Sequence, residues 1–138
     1  MYKYFTPEEE KALRDNGIRT DQGNEIDPNP VVKLFTTNGR AIWLLTELSP
    51  FYEGLAFGLC DLGFGEPELG NVYIPEIEAV KHATNGMPLV EKDLHFEATH
   101  PLSVYTGAAR MFGEICEDKD SLEEAVRYMK KQKGSEPL

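Results

Sequence analysis

The apolar positions change their spacing several times along this chain, and each change marks an element. Thr6-Pro7-Glu8-Glu9 is a helix start, with Thr6 as N-cap, Pro7 at the first helical position and Glu9 as the returning carboxylate of a capping box. The polar run behind it predicts a short helix ending near Asn16-Gly17. From Ile18 to Pro30 the residues are polar and turn-forming, and the prolines of Asp27-Pro28-Asn29-Pro30 hold the backbone extended as it enters a strand. Val31 to Phe35 and Ala41 to Thr46 are β-branched and aromatic runs with Asn38-Gly39 between them, the pattern of a β-hairpin. Leu55 to Cys60 and Asn71 to Ile74 extend the pair into a meander, and Leu94-His95-Phe96-Glu97 is a candidate fifth strand.

Helical spacing returns in the second half. Pro75 opens a helix with Glu76 and Glu78 in its first turn, Lys81 and His82 near its last, and Asn85-Gly86 closing it. Pro101 opens the most apolar helix, with Leu102, Tyr105, Ala109, Phe112 and Cys116 on one stripe widened by Val104, Ala108, Met111 and Ile115. That stripe predicts a helix lying across the sheet, in contact with Trp43 or its strand neighbours. Asp120-Ser121 begins a last amphipathic helix, with Ser121 as cap, Glu124 completing the box, and Leu122, Ala125, Val126 and Met129 on one side. The segment Gly134 to Leu138 has nothing to bury and is expected to fray. The fold class is therefore α+β, an antiparallel meander sheet of four or five strands with helices packed on one face. Residues 1–118 form one domain, and 119–138 add the C-terminal helix and tail.

Composition adds three constraints. A chain of 138 residues with 41% hydrophobic positions can bury a real core. Its two cysteines, Cys60 and Cys116, lie in apolar segments far apart, so they are expected as reduced, buried thiols rather than a disulfide or zinc pair. The N-terminal residues lead into a charged helix with no apolar signal core, and no apolar run is long enough to span a bilayer, so a cytoplasmic, membrane-free protein is expected.

The net charge is -10, from 24 acids against 14 lysines and arginines, which opposes direct binding of nucleic acid. Between Arg40 and Lys81 there is no basic residue, while Glu47, Glu53, Asp61, Glu66, Glu68, Glu76 and Glu78 are all acidic. Such a stretch is either a solvated face or a surface shaped to a basic partner. The densest part is the loop Asp61-Leu62-Gly63-Phe64-Gly65-Glu66-Pro67-Glu68-Leu69-Gly70, directly after a strand whose Gly58 lets a backbone or ligand come close.

No helix comes after Gly63-Phe64-Gly65, and negative charge surrounds it, so it cannot cradle phosphate. Asp61, Glu66, Glu68 and Glu47 offer oxygen ligands for a divalent metal, but at a spacing that matches no known metal loop, and no cofactor is expected. His95 and Glu97 share one face if their segment is a strand, with His100 near in sequence. Trp43, Phe35 and Phe57 form either core or a base-stacking platform. No nucleophile motif is present.

The runs Val31-Val32-Lys33-Leu34-Phe35, Trp43-Leu44-Leu45-Thr46-Glu47-Leu48 and Phe57-Gly58-Leu59-Cys60-Asp61-Leu62-Gly63, then Gly65 and Pro67-Glu68-Leu69-Gly70, together resemble the bacterial domain-of-unknown-function family 2958. The resemblance covers about Phe5 to Ile115 and leaves the last helix outside. It implies a setting on plasmids, conjugative elements and phages, and carries over no catalytic residue.

The resulting expectation is a non-enzymatic accessory factor that binds a protein with a basic surface through Glu47, Asp61, Phe64, Glu66 and Glu68. One form is an inhibitor of a host nucleic-acid-binding defence complex, with carboxylates occupying a groove built for phosphates. The alternatives are a divalent-metal-dependent hydrolase on the Asp61 to Glu68 loop and a single-stranded nucleic-acid module on the sheet aromatics.

Overall fold

A computed structural model describes residues 2–135 of the chain, with side chains described as far as Lys133. Helix α1 (Pro7–Asp21) starts where the capping box requires: Thr6 Oγ1 accepts from the Glu9 N–H, and the Glu9 carboxylate accepts from the Thr6 N–H. It does not stop at Gly17. That glycine is buried in mid-helix, because there α1 crosses the end of the sheet.

Five strands complete the sheet: β1 (Val32–Thr36), β2 (Ile42–Leu48), β3 (Leu55–Asp61), β4 (Glu68–Tyr73) and, after a gap, β5 (Val90–Lys92). All neighbours are antiparallel, in the spatial order β4-β3-β2-β1-β5, so the meander is real and the Asn38-Gly39 turn joins β1 to β2. The fifth strand forms at Val90–Lys92 and not at Leu94–Glu97. Val90 is the residue that can be buried on the sheet, and the Tyr4 hydroxyl donates to its carbonyl. The helix expected from Pro75 is only α2 (Ile74–Glu78). Beyond Ala79 no apolar stripe supports further turns, and the chain folds back with Lys81 bridged to Pro88.

Helix α3 (Leu102–Phe112) lies on the sheet as expected but ends at Gly113, whose φ of 80° stops it in a left-handed cap, leaving Ile115 and Cys116 beyond it. Helix α4 (Lys119–Ser135) is capped by Asp118, which accepts from the Ser121 N–H at 2.9 Å; Ser121 is thus the capped residue and not the cap. Leu122 and Ala125 bury α4 on α3. Of the tail expected to fray, Gly134 and Ser135 are helical and 136–138 lie outside the described residues.

The alternation along β2 and β3 divides the core in two. Trp43, Leu45 and Ala56 join Leu13 of α1, the N-terminal Tyr2, Tyr4 and Phe5, and Ile74 and Ile77 of α2. Leu44 and Leu59 join α3 and α4, with Ile42 and Phe57 beside them. The sheet is therefore flanked on both faces, α1 against one and α3 with α4 against the other, where helices on a single face were expected. Both residue parities of the central strands are apolar, so neither face can be left in water. Trp43 faces away from α3, and its neighbours Ile42 and Leu44 make that contact. Among the described residues no helix is long and apolar enough to cross a membrane.

Candidate functional site

Asp61 ends β3 and is almost fully buried, at 3% exposure. Its two oxygens are both used: Oδ1 accepts from the Gly63 N–H at 2.8 Å, and Oδ2 accepts from the Ile115 N–H at 3.0 Å. The first bond shapes the start of the loop, and the second ties it to the segment behind α3, 54 residues away. Gly63 and Gly65 both adopt positive φ, at 87° and 84°, on either side of Phe64, and the buried Pro67 anchors the far end. Phe64 is thereby lifted off the surface at 84% exposure, the most exposed of the large hydrophobic side chains described. Glu66 and Glu68 beside it are exposed, and neither forms an ion pair among the described residues.

Two residues join this loop that sequence position alone did not associate with it. The Arg40 side chain packs on Gly63, so tightly that a Cβ built there would lie 2.7 Å from the Arg40 Cβ. The acidic stretch, free of basic residues in sequence, therefore has a base against it in space. Glu114 comes directly after Gly113, which lies beside the Gly65 carbonyl, and it shares with Arg40, Asp61 and Gly65 the wall of a cavity of about 360 Å³. In the sequence Glu114 is only a polar position between Phe112 and Ile115 of the predicted helix, with no sign that it meets the loop.

Glu47 belongs elsewhere. On β2 it pairs with Phe57, whereas Asp61 pairs with Ile42 at the other end of the same strand, five residues or roughly 17 Å away. Glu47 is half-buried beside the end of α1, where burial raises its carboxyl above the usual range and a hydrogen bond from Thr20 opposes the shift. A raised folded-state value means that the folded protein binds the extra proton, so this group costs stability as pH rises through that value. Glu47→Gln, which keeps the acceptor for Thr20, is expected to raise stability by roughly a few tenths of a kcal/mol at neutral pH, the small size reflecting solvent screening. The gain should vanish at pH values below the unfolded carboxyl range. Urea midpoints at both pH values check it, and a gain that persists in acid would refute the assignment.

The other candidates do not assemble. Leu94 to Glu97 is not a strand, His95 and Glu97 are exposed, and His100 bonds Thr99 Oγ1 through Nδ1 at 2.7 Å and stands edge-on to Tyr105. Among the described residues no three His, Cys, Asp or Glu side chains are grouped as a metal would need, and this includes the loop carboxylates. Trp43 is buried on the α1 face, whereas Phe57 is on the α3 face and Phe35, paired with Ile42, turns to that same face, so the three aromatics do not form one platform.

Both cysteines are free and half-buried rather than fully enclosed. Burial pushes the Cys60 thiol up to about 11. The Cys116 thiol is also raised, by burial first, with a Ser121 hydrogen bond opposing and the charges of Asp118, Glu114 and Asp61 adding to it. At pH 8 the Cys60 thiolate is then on the order of one part in a thousand. Ellman's reagent should label Cys116 slowly and Cys60 more slowly still, with both becoming fast in urea. Native labelling at the unfolded rate would contradict the described burial.

A family model described as a protein of unknown function (DUF2958) matches residues 4–116. No curated protein and no solved structure matches the chain.

Proposed function

We propose that this chain, which belongs to the DUF2958 family of proteins of unknown function, works by binding a protein with a basic surface through the Asp61–Glu68 loop. One observation carries this reading: Phe64 is held out in water by a loop that is rigid at both ends, with unpaired Glu66 and Glu68 next to it. An exposed aromatic costs solvation free energy and is the commonest kind of anchor at protein interfaces, while flanking charges set which partners approach and how fast. Glu114 across the cavity widens the acidic border, and Arg40 sets its inner limit. Asp61 supports the loop from inside and does not meet the partner. Glu47, at the far end of β2, is left out of this surface. An inhibitor of a host nucleic-acid-binding defence complex is one concrete form, since such a complex presents a basic groove.

The test compares the native protein with the Glu66→Lys, Glu68→Lys double variant and with Phe64→Ala, as baits in bacterial lysate. All three side chains are exposed, so circular dichroism should show each variant folded. Partners retained by the native bait are expected to fall at least tenfold with the charge reversal and roughly thirtyfold with Phe64→Ala, the size of one anchor residue. Equal recovery by all three baits would remove the loop as a binding surface.

A further inference from the structure

Strand β4 is the outer strand of the sheet next to that loop. It pairs with β3 over six consecutive residues with no bulge. Just past it, the Ile74 N–H donates to the Gly54 carbonyl at 2.8 Å, which fixes the hydrogen-bonding parity of the ladder. Because hydrogen-bonded and non-hydrogen-bonded pairs alternate, Val72, Gly70 and Glu68 turn their amides to β3, and Leu69, Asn71 and Tyr73 turn theirs outward. No loop, helix or side chain among the described residues accepts from those three N–H groups. The strand also has no lysine, proline or bulge of the kind that usually blocks a free edge.

Its side chains prepare the same edge. Leu69 and Tyr73 lie on one face, opposite Leu59 and Leu55, four residues or roughly 13 Å apart. Leu69 borders a hollow of about 780 Å³ with Met111 of α3 and Tyr128 of α4, and Tyr73 borders one of about 500 Å³ with Phe51 and Tyr52. All six of these side chains are among the exposed hydrophobics. Arg110 stands at the rim of the first hollow, while Glu66 and Glu68 lie at one end of the strand and Glu76 just beyond the other.

We propose that β4 is a strand-addition site for an extended segment of a partner protein. The segment runs antiparallel to β4, places apolar side chains in the hollows beside Leu69 and Tyr73, and carries lysine or arginine facing Glu68. Its basic character rests on the proposed role of the acidic loop. A second copy of this chain is the poorer occupant. Self-pairing about Asn71 would bring Glu66 of each copy to the end that carries Glu76 of the other, between molecules of net charge -10.

The probe is a blocked, fluorescein-labelled peptide that alternates valine with threonine and ends in two lysines, titrated with the full chain by anisotropy. The control peptide ends in two glutamates. Asn71→Pro removes an outward N–H without touching the ladder to β3, and Asn71→Ala keeps it. The lysine peptide is expected to bind at least tenfold more tightly than the glutamate peptide, to lose at least tenfold with Asn71→Pro, and to stay within about twofold with Asn71→Ala. Should Asn71→Pro fail to fold, N-methylation of the peptide at alternate residues makes the same test from the other side, and loss in only one methylation register supports strand addition. Binding that is unchanged by Asn71→Pro or by either methylation register overturns the proposal, as does no binding up to about 1 mM. A dimer in sedimentation that Asn71→Pro dissolves overturns it in favour of a second copy. Weakening by Glu66→Lys, Glu68→Lys without weakening by Asn71→Pro overturns strand addition and leaves the acidic-loop reading standing. The reverse pattern supports strand addition but overturns that reading, and with it the basic character of the added segment.

Discussion

Gly17→Ala is expected to destabilise the protein by about 3 kcal/mol or more, although alanine is the better helix former by about 1 kcal/mol. A Cβ at position 17 would stand 1.8 Å from the Leu48 carbonyl oxygen and 2.9 Å from its carbon, both backbone atoms that no rotamer change can move. Relief requires α1 to shift off β2, and α1 is pinned there by fully buried Leu13 and by the Asn16 side chain donating to the Thr46 carbonyl at 2.9 Å. Gly58 presents the same situation inside the sheet, where an added Cβ would stand 2.0 Å from the Leu44 carbonyl oxygen beside the register shift between Leu45 and Glu47, so Gly58→Ala should cost a similar amount. Urea unfolding monitored by circular dichroism measures both. A Gly17→Ala protein as stable as the native one would mean that α1 does not approach the strand as described.

Asp61→Ala and Asp61→Asn are each expected to cost about 2–4 kcal/mol and to loosen the loop that carries Phe64. The carboxylate satisfies two N–H groups from distant parts of the chain, Gly63 and Ile115, inside a site almost closed to water. Alanine leaves both donors unpaired. Asparagine keeps the shape but turns an NH₂ toward one of the two donors, so it should be no rescue. Unfolding midpoints give the stability, and amide hydrogen exchange at Gly63 and Ile115 should speed up in both variants while the β1–β2 hairpin stays protected. If Asp61→Asn left midpoint and exchange unchanged, the double acceptor role would be wrong, and the loop would be held by its glycines and Pro67 alone.

Locally encoded features could be read from the chain. The capping box at Thr6 and Glu9, the Asn38-Gly39 hairpin, the β-branched runs of β1 to β3 and the apolar stripe of α3 depend on neighbours within a few residues, so their chemistry is visible in sequence order. So was the loop after β3, where three glycines and three carboxylates come directly after a buried strand. Features that depend on distant contacts were not readable. Gly17 looks like a helix terminator, because a glycine needed for close approach and one needed to stop a helix are the same residue until the opposing strand is in place. Val90 outcompetes Phe96 for the sheet edge because only the folded β1 offers it a buried position.

The same division holds for the site. Composition placed Phe64, Glu66 and Glu68 on one loop by adjacency alone, and charge counting set Glu47 with them. Tertiary structure separated Glu47, because five residues of extended β2 carry it to the opposite end of the sheet. It turned Asp61 inward, where the half-buried Gly63 amide and the buried Ile115 amide share it as acceptor. It also brought Arg40 and Glu114 to the loop, because the meander and the return from α3 converge there. A chain determines by itself what its near neighbours can do. Which distant groups share a surface is decided by burial, since the two apolar parities of β2 and β3 each demand a covering layer, and the path of that layer sets what meets at the rim.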